Sequence, residues 1–290
     1  MSKFTGTGVA VITPFKKDKS IDYDALTSII NHLINKGVDY LVCLGSTGEK
    51  VTLNKAEQVA VASHFIKVNA GRLPLVLGVG GNNTTQVVQE IESMDLQGFD
   101  AILSVTPSYN KPSQEGLYQH FKAIAEVSPV PVILYNVPGR TGVNMLPPVV
   151  IRLAKDFDNI IGVKEASGHL SQALELLRKA PEGFHVISGE DLLAVPMVLA
   201  GGSGVISVMA QGLPEKFSSM ITKSLEGKNK EAHALLYEMM PCIDYIFEEG
   251  NPAGIKAMMA LQGLCKNELR LPLTPVSKIL EERINQFILT

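Results

Sequence analysis

Short apolar runs alternate with amphipathic stretches almost from one end of the chain to the other. The runs are residues 8–12 (GVAVI), 40–44 (YLVCL), 75–79 (LVLGV), 101–105 (AILSV), 130–135 (VPVILY), 160–164 (IIGVK), 185–188 (HVIS) and 204–208 (GVISV). Each is rich in Val, Ile and Leu and apolar on both faces, as expected of strands covered on both sides. Between them the 3.6-residue period predicts helices over 22–36, 54–69, 84–97, 113–127, 147–155, 171–179, 192–199 and 214–225. Asp22 is suited to N-capping the first, and Gly37 and Gly98 stop the first and third. Eight strand–helix repeats predict an α/β fold, a (β/α)8 TIM barrel, with a doubly wound open sheet as the alternative. Further helices over 229–248, 252–264 and 276–289 predict a small C-terminal α-helical extension. The expected division is a barrel over 1–226 and a helical region over 227–290.

Composition narrows the function. Of 290 residues, 46% are hydrophobic and 19% charged, enough for a large core and too apolar for disorder. The formal charge of −3 leaves no basic excess to neutralise a phosphate backbone, so nucleic acid is not an expected partner. No stretch of about 18 uninterrupted apolar residues is present, so no membrane partner is expected. The opening MSKFTGTGVA has no apolar signal-peptide core. Cys43, Cys242 and Cys265 are few, odd in number and far apart, which fits a reducing cytoplasm. The six histidines show no HxH or HExxH spacing, so no metal site is expected.

In a (β/α)8 barrel the chemistry sits where the strands end at their C-terminal side. Lys164 ends the sixth run. It either opens the loop and points to solvent, or it is a desolvated amine able to attack a carbonyl. The barrel position favours the amine. Tyr135 ends the fifth run, either as a core aromatic or as a phenol that passes protons beside such a lysine. Arg140, in a loop bounded by Pro138 and Gly142, is either a surface arginine or a bidentate clamp for a carboxylate. Ser46 and Thr47 lie between glycines after the second run, as turn residues or as hydroxyl donors to a carboxylate.

GSTGE at 45–49, YNVPGRTG at 135–142, GVKEASG at 162–168, SGED at 188–191 and GVISV at 204–208 together resemble the pyruvate-dependent class I aldolases of the N-acetylneuraminate lyase and dihydrodipicolinate synthase superfamily. The similarity extends through NPAGIKAMM at 251–259 and LRLPLTP at 269–275. The arginine of the YNVP-x-R-T-G string resembles the dihydrodipicolinate synthase branch, whereas Ser46 stands where that branch usually has a second threonine.

The resemblance implies a lyase that joins pyruvate to L-aspartate 4-semialdehyde through a Schiff base on Lys164, in the diaminopimelate route to lysine. It implies a hydroxyl relay of Tyr135, Ser46 and Tyr109, with Tyr109 supplied across a dimer interface. Thr47 would hold the pyruvate carboxylate, Arg140 the semialdehyde carboxylate, and the backbones of Gly189 and Ile206 would line the site. No metal or organic cofactor is implied, and the implied assembly is a homo-oligomer, a dimer of dimers. The alternatives are cleavage of N-acetylneuraminate or a 2-keto-3-deoxy sugar acid, and a barrel that has lost catalysis and only binds. Lysine-inhibited relatives present a glutamate to the ligand's ammonium groups. Here Gln86 replaces that glutamate, Lys50 and Lys55 replace serine and histidine, and Ser108 replaces a tyrosine, although Asn82 is retained and Glu57 lies nearby. The expectation is insensitivity to lysine.

Overall fold

The eight apolar runs become eight parallel strands in the computed structural model, which describes residues 3–289. They are β1 (Gly6–Ala10), β2 (Tyr40–Cys43), β3 (Leu75–Val79), β4 (Ala101–Val105), β5 (Val132–Asn136), β6 (Ile160–Glu165), β7 (His185–Ser188) and β8 (Gly204–Ser207). Neighbours in sequence are neighbours in the sheet, and β8 closes on β1 with Gly6 opposite Gly204. The closed sheet and its outer ring of helices are the (β/α)8 barrel, not the open alternative.

Strand side chains alternate between two faces. Val42, Leu103, Ile133, Ile187 and Ile206 fill the barrel with Phe4 and Tyr40, whose rings meet edge to face at 5.7 Å. Leu41, Leu77, Ile102 and Leu134 face outward into the apolar layer beneath the helices. Both faces are covered, which is why the strands read as continuous apolar runs.

The helices begin where the polar residues predict. Asp22 accepts from the amide of Ala25, Ser113 from that of Gly116, and Asn54 forms a capping box with Glu57; such caps contribute about 1 kcal/mol each. Several boundaries differ from expectation, and three of them have a local cause. β1 starts two residues earlier than the apolar run, because pairing with β8 begins at Gly6. β5 starts at Val132, since Pro131 has no amide to give and only its carbonyl joins the ladder, accepting from Ile102 at 2.9 Å. The helix expected over 84–97 stops at Ser93, where the Asp95 carboxylate takes the amide of Gln97 at 2.9 Å and so replaces a helical partner.

One irregularity decides the chemistry. Val132 of β5 lies opposite Ile160 of β6, but the next residue, Ile133, lies opposite Gly162. Ile161 is thus an extra residue on β6, a local bulge. Beyond it Lys164 stands opposite Tyr135 and Ile187, both on the inner face. Without the bulge Val163 would take that place and Lys164 would point to the helices, because a one-residue slip exchanges the faces.

After helix Pro214–Leu225 come Asn229–Glu248, Ala253–Leu261 and Lys278–Leu289. Their apolar residues, among them Leu236, Ile243, Met258 and Ile284, join the same core layer as the outer faces of the strands.

Candidate active site

Lys164 and Tyr135 are 5% and 8% exposed, and the Lys164 Nζ lies 4.5 Å from the centre of the Tyr135 ring. Gly189, one residue past β7, closes in from the other side: a Cβ there would stand 2.6 Å from that of Ala166 and 3.0 Å from the Lys164 Cε. Any side chain at 189 would therefore displace the lysine. Ile206 is fully buried on the inner face of β8. Beside Lys164, the Glu165 carboxylate accepts from the Asn136 amide at 3.1 Å, from Gln172 at 3.0 Å and from the Ser167 backbone at 2.7 Å. That web fixes the end of β6.

Two acids follow Gly189. Burial and the neighbouring Asp191 push the Glu190 carboxyl above its ordinary value, while Lys164 and Arg140 pull it down. Asp191 is buried and raised by that burial; its Oδ2 accepts from the amides of Val208 and Met209 at 3.2 and 2.8 Å. It anchors the loop that leaves β8.

The GSTGE loop after β2 is two successive turns, with the amide of Gly48 on the carbonyl of Gly45 and that of Glu49 on Ser46. Leu44 and Glu49 hold φ of 54° and 53°, a left-handed conformation costly for residues with a Cβ. Glu49 is kept there by Lys256, whose ammonium it meets at 2.5 Å with neither side chain exposed. Thr47 is buried and accepts from the Asn251 side-chain amide at 3.0 Å. Ser46 is exposed on the rim.

Arg140 does not lie in an open loop. It belongs to a helical turn, Pro138–Thr141, that opens with proline at its first position and closes with Gly142 at φ 74°. Both are the residues favoured at such ends. The Arg140 guanidinium donates to the Asn251 carbonyl at 3.2 Å. Tyr109 is 91% exposed with φ 69°, and its amide donates to the carbonyl of Thr141 at 3.0 Å. The hydroxyls of Ser46 and Tyr109 have no hydrogen-bond partner among the described residues.

The barrel thus brings Lys164, Tyr135, Gly189 and Ile206 into its interior, and joins Thr47 to Arg140 through Asn251. Ser46 and Tyr109 stay on the outer rim. Sequence reasoning gave no role to Asn251, Glu49, Lys256 or Glu190. Lys256 carried a usable signal, a single charge in the otherwise apolar helix AGIKAMMAL. A separate cavity of about 730 Å³ opens between helices Lys55–Asn69 and Thr84–Ser93 and is lined by Lys50, Lys55, Gln58, Asn82, Gln86 and Glu90, among others. Among the described residues, no helix is long and apolar enough to cross a membrane.

The chain matches the family model for the dihydrodipicolinate synthetase family over residues 3–289. It is 55% identical over 287 residues to a 4-hydroxy-tetrahydrodipicolinate synthase of Flavobacterium psychrophilum, covering 99% of this chain and 98% of that one. It is 49% identical over 286 residues to the enzyme of that name from Cytophaga hutchinsonii, covering 99% and 96%. The dihydrodipicolinate synthase structure from Aquifex aeolicus superimposes with a TM-score of 0.95 at 36% identity, over 98% and 97% of the two chains. That of Cyanidioschyzon merolae, solved with lysine bound, gives 0.96 at 34% identity, over 100% and 98%.

Proposed function

Because the chain belongs to the dihydrodipicolinate synthetase family, we propose that it condenses pyruvate with L-aspartate 4-semialdehyde through a Schiff base on Lys164. The observation that carries this reading is the Lys164 amine, buried inside the barrel at the end of β6 with Tyr135 beside it at 4.5 Å. The amine attacks the pyruvate ketone, and loss of water from the carbinolamine leaves an iminium. That cation acidifies the neighbouring methyl, a proton leaves, and the enamine carbon adds to the aldehyde. The amino group of the semialdehyde then attacks the former ketone carbon and releases Lys164 as the ring closes to the hydroxy-tetrahydrodipicolinate. The lysine is itself the electron sink, so the reaction needs no metal or organic cofactor.

Tyr135, Ser46 and Tyr109 carry protons between this site and solvent. The exposure of the Tyr109 ring suits a side chain that completes the site of a second protomer, so the working unit is a dimer and the full assembly a pair of dimers. Thr47 binds the pyruvate carboxylate and Arg140 that of the semialdehyde, with the backbones of Gly189 and Ile206 as walls. Residues 1–226 form the catalytic barrel, and the helical region 227–290 braces it through Asn251 and Lys256. The enzyme works in the cytoplasm, and free lysine is not an effector.

Borohydride added with pyruvate should inactivate the protein and place the reduced adduct on Lys164, as read by peptide mass mapping. An adduct on another lysine, or none, overturns the mechanism. A substrate panel separates this reaction from sugar-acid cleavage: faster turnover of N-acetylneuraminate or a 2-keto-3-deoxy acid would overturn the substrate assignment.

A further inference from the structure

We propose that Asn251 is a positioning residue that sets the direction in which the Thr47 hydroxyl donates, a role that rests on reading Thr47 as the holder of the pyruvate carboxylate. Asn251 sits just before helix Ala253–Leu261 and is 9% exposed. It touches both carboxylate clamps. Its side-chain Nδ2 donates to the Thr47 Oγ1 at 3.0 Å, and its backbone carbonyl accepts from the Arg140 Nη2 at 3.2 Å.

A hydroxyl has one proton to give and lone pairs with which to accept. An asparagine amide can engage it in either sense. If the amide oxygen took the threonine proton, Thr47 would offer only lone pairs to an incoming carboxylate, and like would face like. In the structure Asn251 turns its amide nitrogen, not its oxygen, toward the Thr47 hydroxyl. Nδ2 occupies a lone pair of Oγ1, and no acceptor among the described residues takes the Thr47 proton. That proton remains for a carboxylate. Among the described residues the buried Asn251 Oδ1 has no partner, so the bond to Thr47 is the side-chain contact that orients the amide. Burial strengthens the effect, since the buried threonine exchanges its partners with little help from water.

Asn251→Asp keeps the shape and inverts the sense: a carboxylate accepts the Thr47 proton and adds a negative charge beside the pyruvate carboxylate. Asn251→Ala removes the amide and leaves the hydroxyl free to turn. The experiment measures KM and kcat for each substrate, and the pyruvate concentration that half-saturates borohydride trapping on Lys164. In Asn251→Asp the pyruvate constants should rise about tenfold or more, the loss expected for a hydrogen bond to a charged group. In Asn251→Ala they should rise less. The KM for the semialdehyde should stay within about twofold in both, because Arg140 uses the backbone carbonyl. In a Thr47→Val background Asn251→Ala should add nothing and the effect of Asn251→Asp should shrink to what its charge alone contributes, since the hydroxyl they act through is gone.

Pyruvate binding unchanged in Asn251→Asp overturns the proposal, as does an equal loss with and without the Thr47 hydroxyl. Trapping at full stoichiometry at high pyruvate reports that the variant's site is folded. If Asn251→Asp does not fold, the cycle of Asn251→Ala with Thr47→Val decides: additive losses overturn the coupling, and non-additive losses support it. Failure of the unaltered protein to trap pyruvate on Lys164 removes the functional reading and this role with it, whereas trapping there with an indifferent Asn251→Asp removes this role alone.

Discussion

Glu49 and Lys256 form an ion pair at 2.5 Å with both side chains fully buried, and it joins the loop after β2 to the C-terminal helices. Burial pulls the Lys256 ammonium below its ordinary value while Glu49 opposes that pull. Further contacts surround the pair: Lys256 also donates to the Glu268 carbonyl at 2.9 Å and lies 4.1 Å from the centre of the Phe15 ring, and the Arg270 amide donates to Glu49 at 3.3 Å. Removing one partner leaves the other charged and dry, at a cost of about 3–5 kcal/mol. Lys256→Met and Glu49→Gln should each lose roughly that much in urea unfolding. A loss below about 1 kcal/mol would show that packing, not charge, holds the loop.

Arg140→Ala should separate the two substrates. Arg140 is an exposed residue whose guanidinium is tied to Asn251 by one part-buried bond, so its loss should leave the fold intact. A bidentate arginine–carboxylate contact is worth on the order of tenfold to a hundredfold in affinity. The KM for aspartate semialdehyde should rise by that factor, while borohydride trapping of pyruvate on Lys164 changes less than about twofold. Equal loss in both assays would make Arg140 a structural residue.

The barrel was legible because both faces of every strand are apolar. The runs at 75–79, 101–105 and 185–188 have the bounds of β3, β4 and β7. Lys164 was legible for the converse reason, as a charge at the end of such a run. What stayed hidden depends on pairing between distant segments. The Ile161 bulge that turns Lys164 inward leaves no mark in composition, since Ile160, Ile161 and Val163 look alike as strand residues. Asn251 meets Thr47 across 204 positions of sequence, and Lys256 meets Glu49 across 207. No local period reports such contacts. The Pro138–Thr141 turn was read as loop because four residues carry no helical period.

Acid should weaken the fold partly through His120. This residue is buried on helix Gln114–Val127; its Nδ1 bonds the Thr84 hydroxyl at 2.8 Å, and its buried Nε2 has no partner among the described residues. Burial pushes the imidazole down to about 4. In the unfolded chain it titrates near ~6.5. Between those values the unfolded chain holds a proton that the folded one does not, so stability falls as pH drops through that window. The unaltered protein should lose about 2 kcal/mol more than His120→Gln between pH 7 and pH 5, by urea unfolding at each pH. Parallel losses would mean that His120 is protonated in the fold.

Free lysine should not inhibit this protein. The cavity between helices Lys55–Asn69 and Thr84–Ser93 already holds ammonium groups of its own: Lys50 donates to the Gly78 carbonyl at 3.1 Å and lies 3.3 Å from the Glu90 carboxylate, which Lys55 also reaches at 2.8 Å. Burial pushes Glu90 up, but the two lysines outweigh it and hold the carboxyl below its ordinary value, so Glu90 stays charged and shared. The other acid of the wall, Asp95, is exposed and accepts the Gln97 amide at one oxygen. Gln86 supplies no charge, and the Asn82 oxygen is taken by the amide and hydroxyl of Ser108 at 2.8 and 3.2 Å. A ligand ammonium would meet the half-buried Lys50 cation and the Lys55 cation at a carboxylate those two already share, a repulsion that burial strengthens at Lys50. Steady-state rates should therefore be flat in lysine up to about 1 mM. Lys50→Ser combined with Gln86→Glu removes a cation and adds an acid, and it should bring in saturable inhibition. Sub-millimolar inhibition of the unaltered protein, or no gain in the double variant, would show that charge in this cavity does not decide the response.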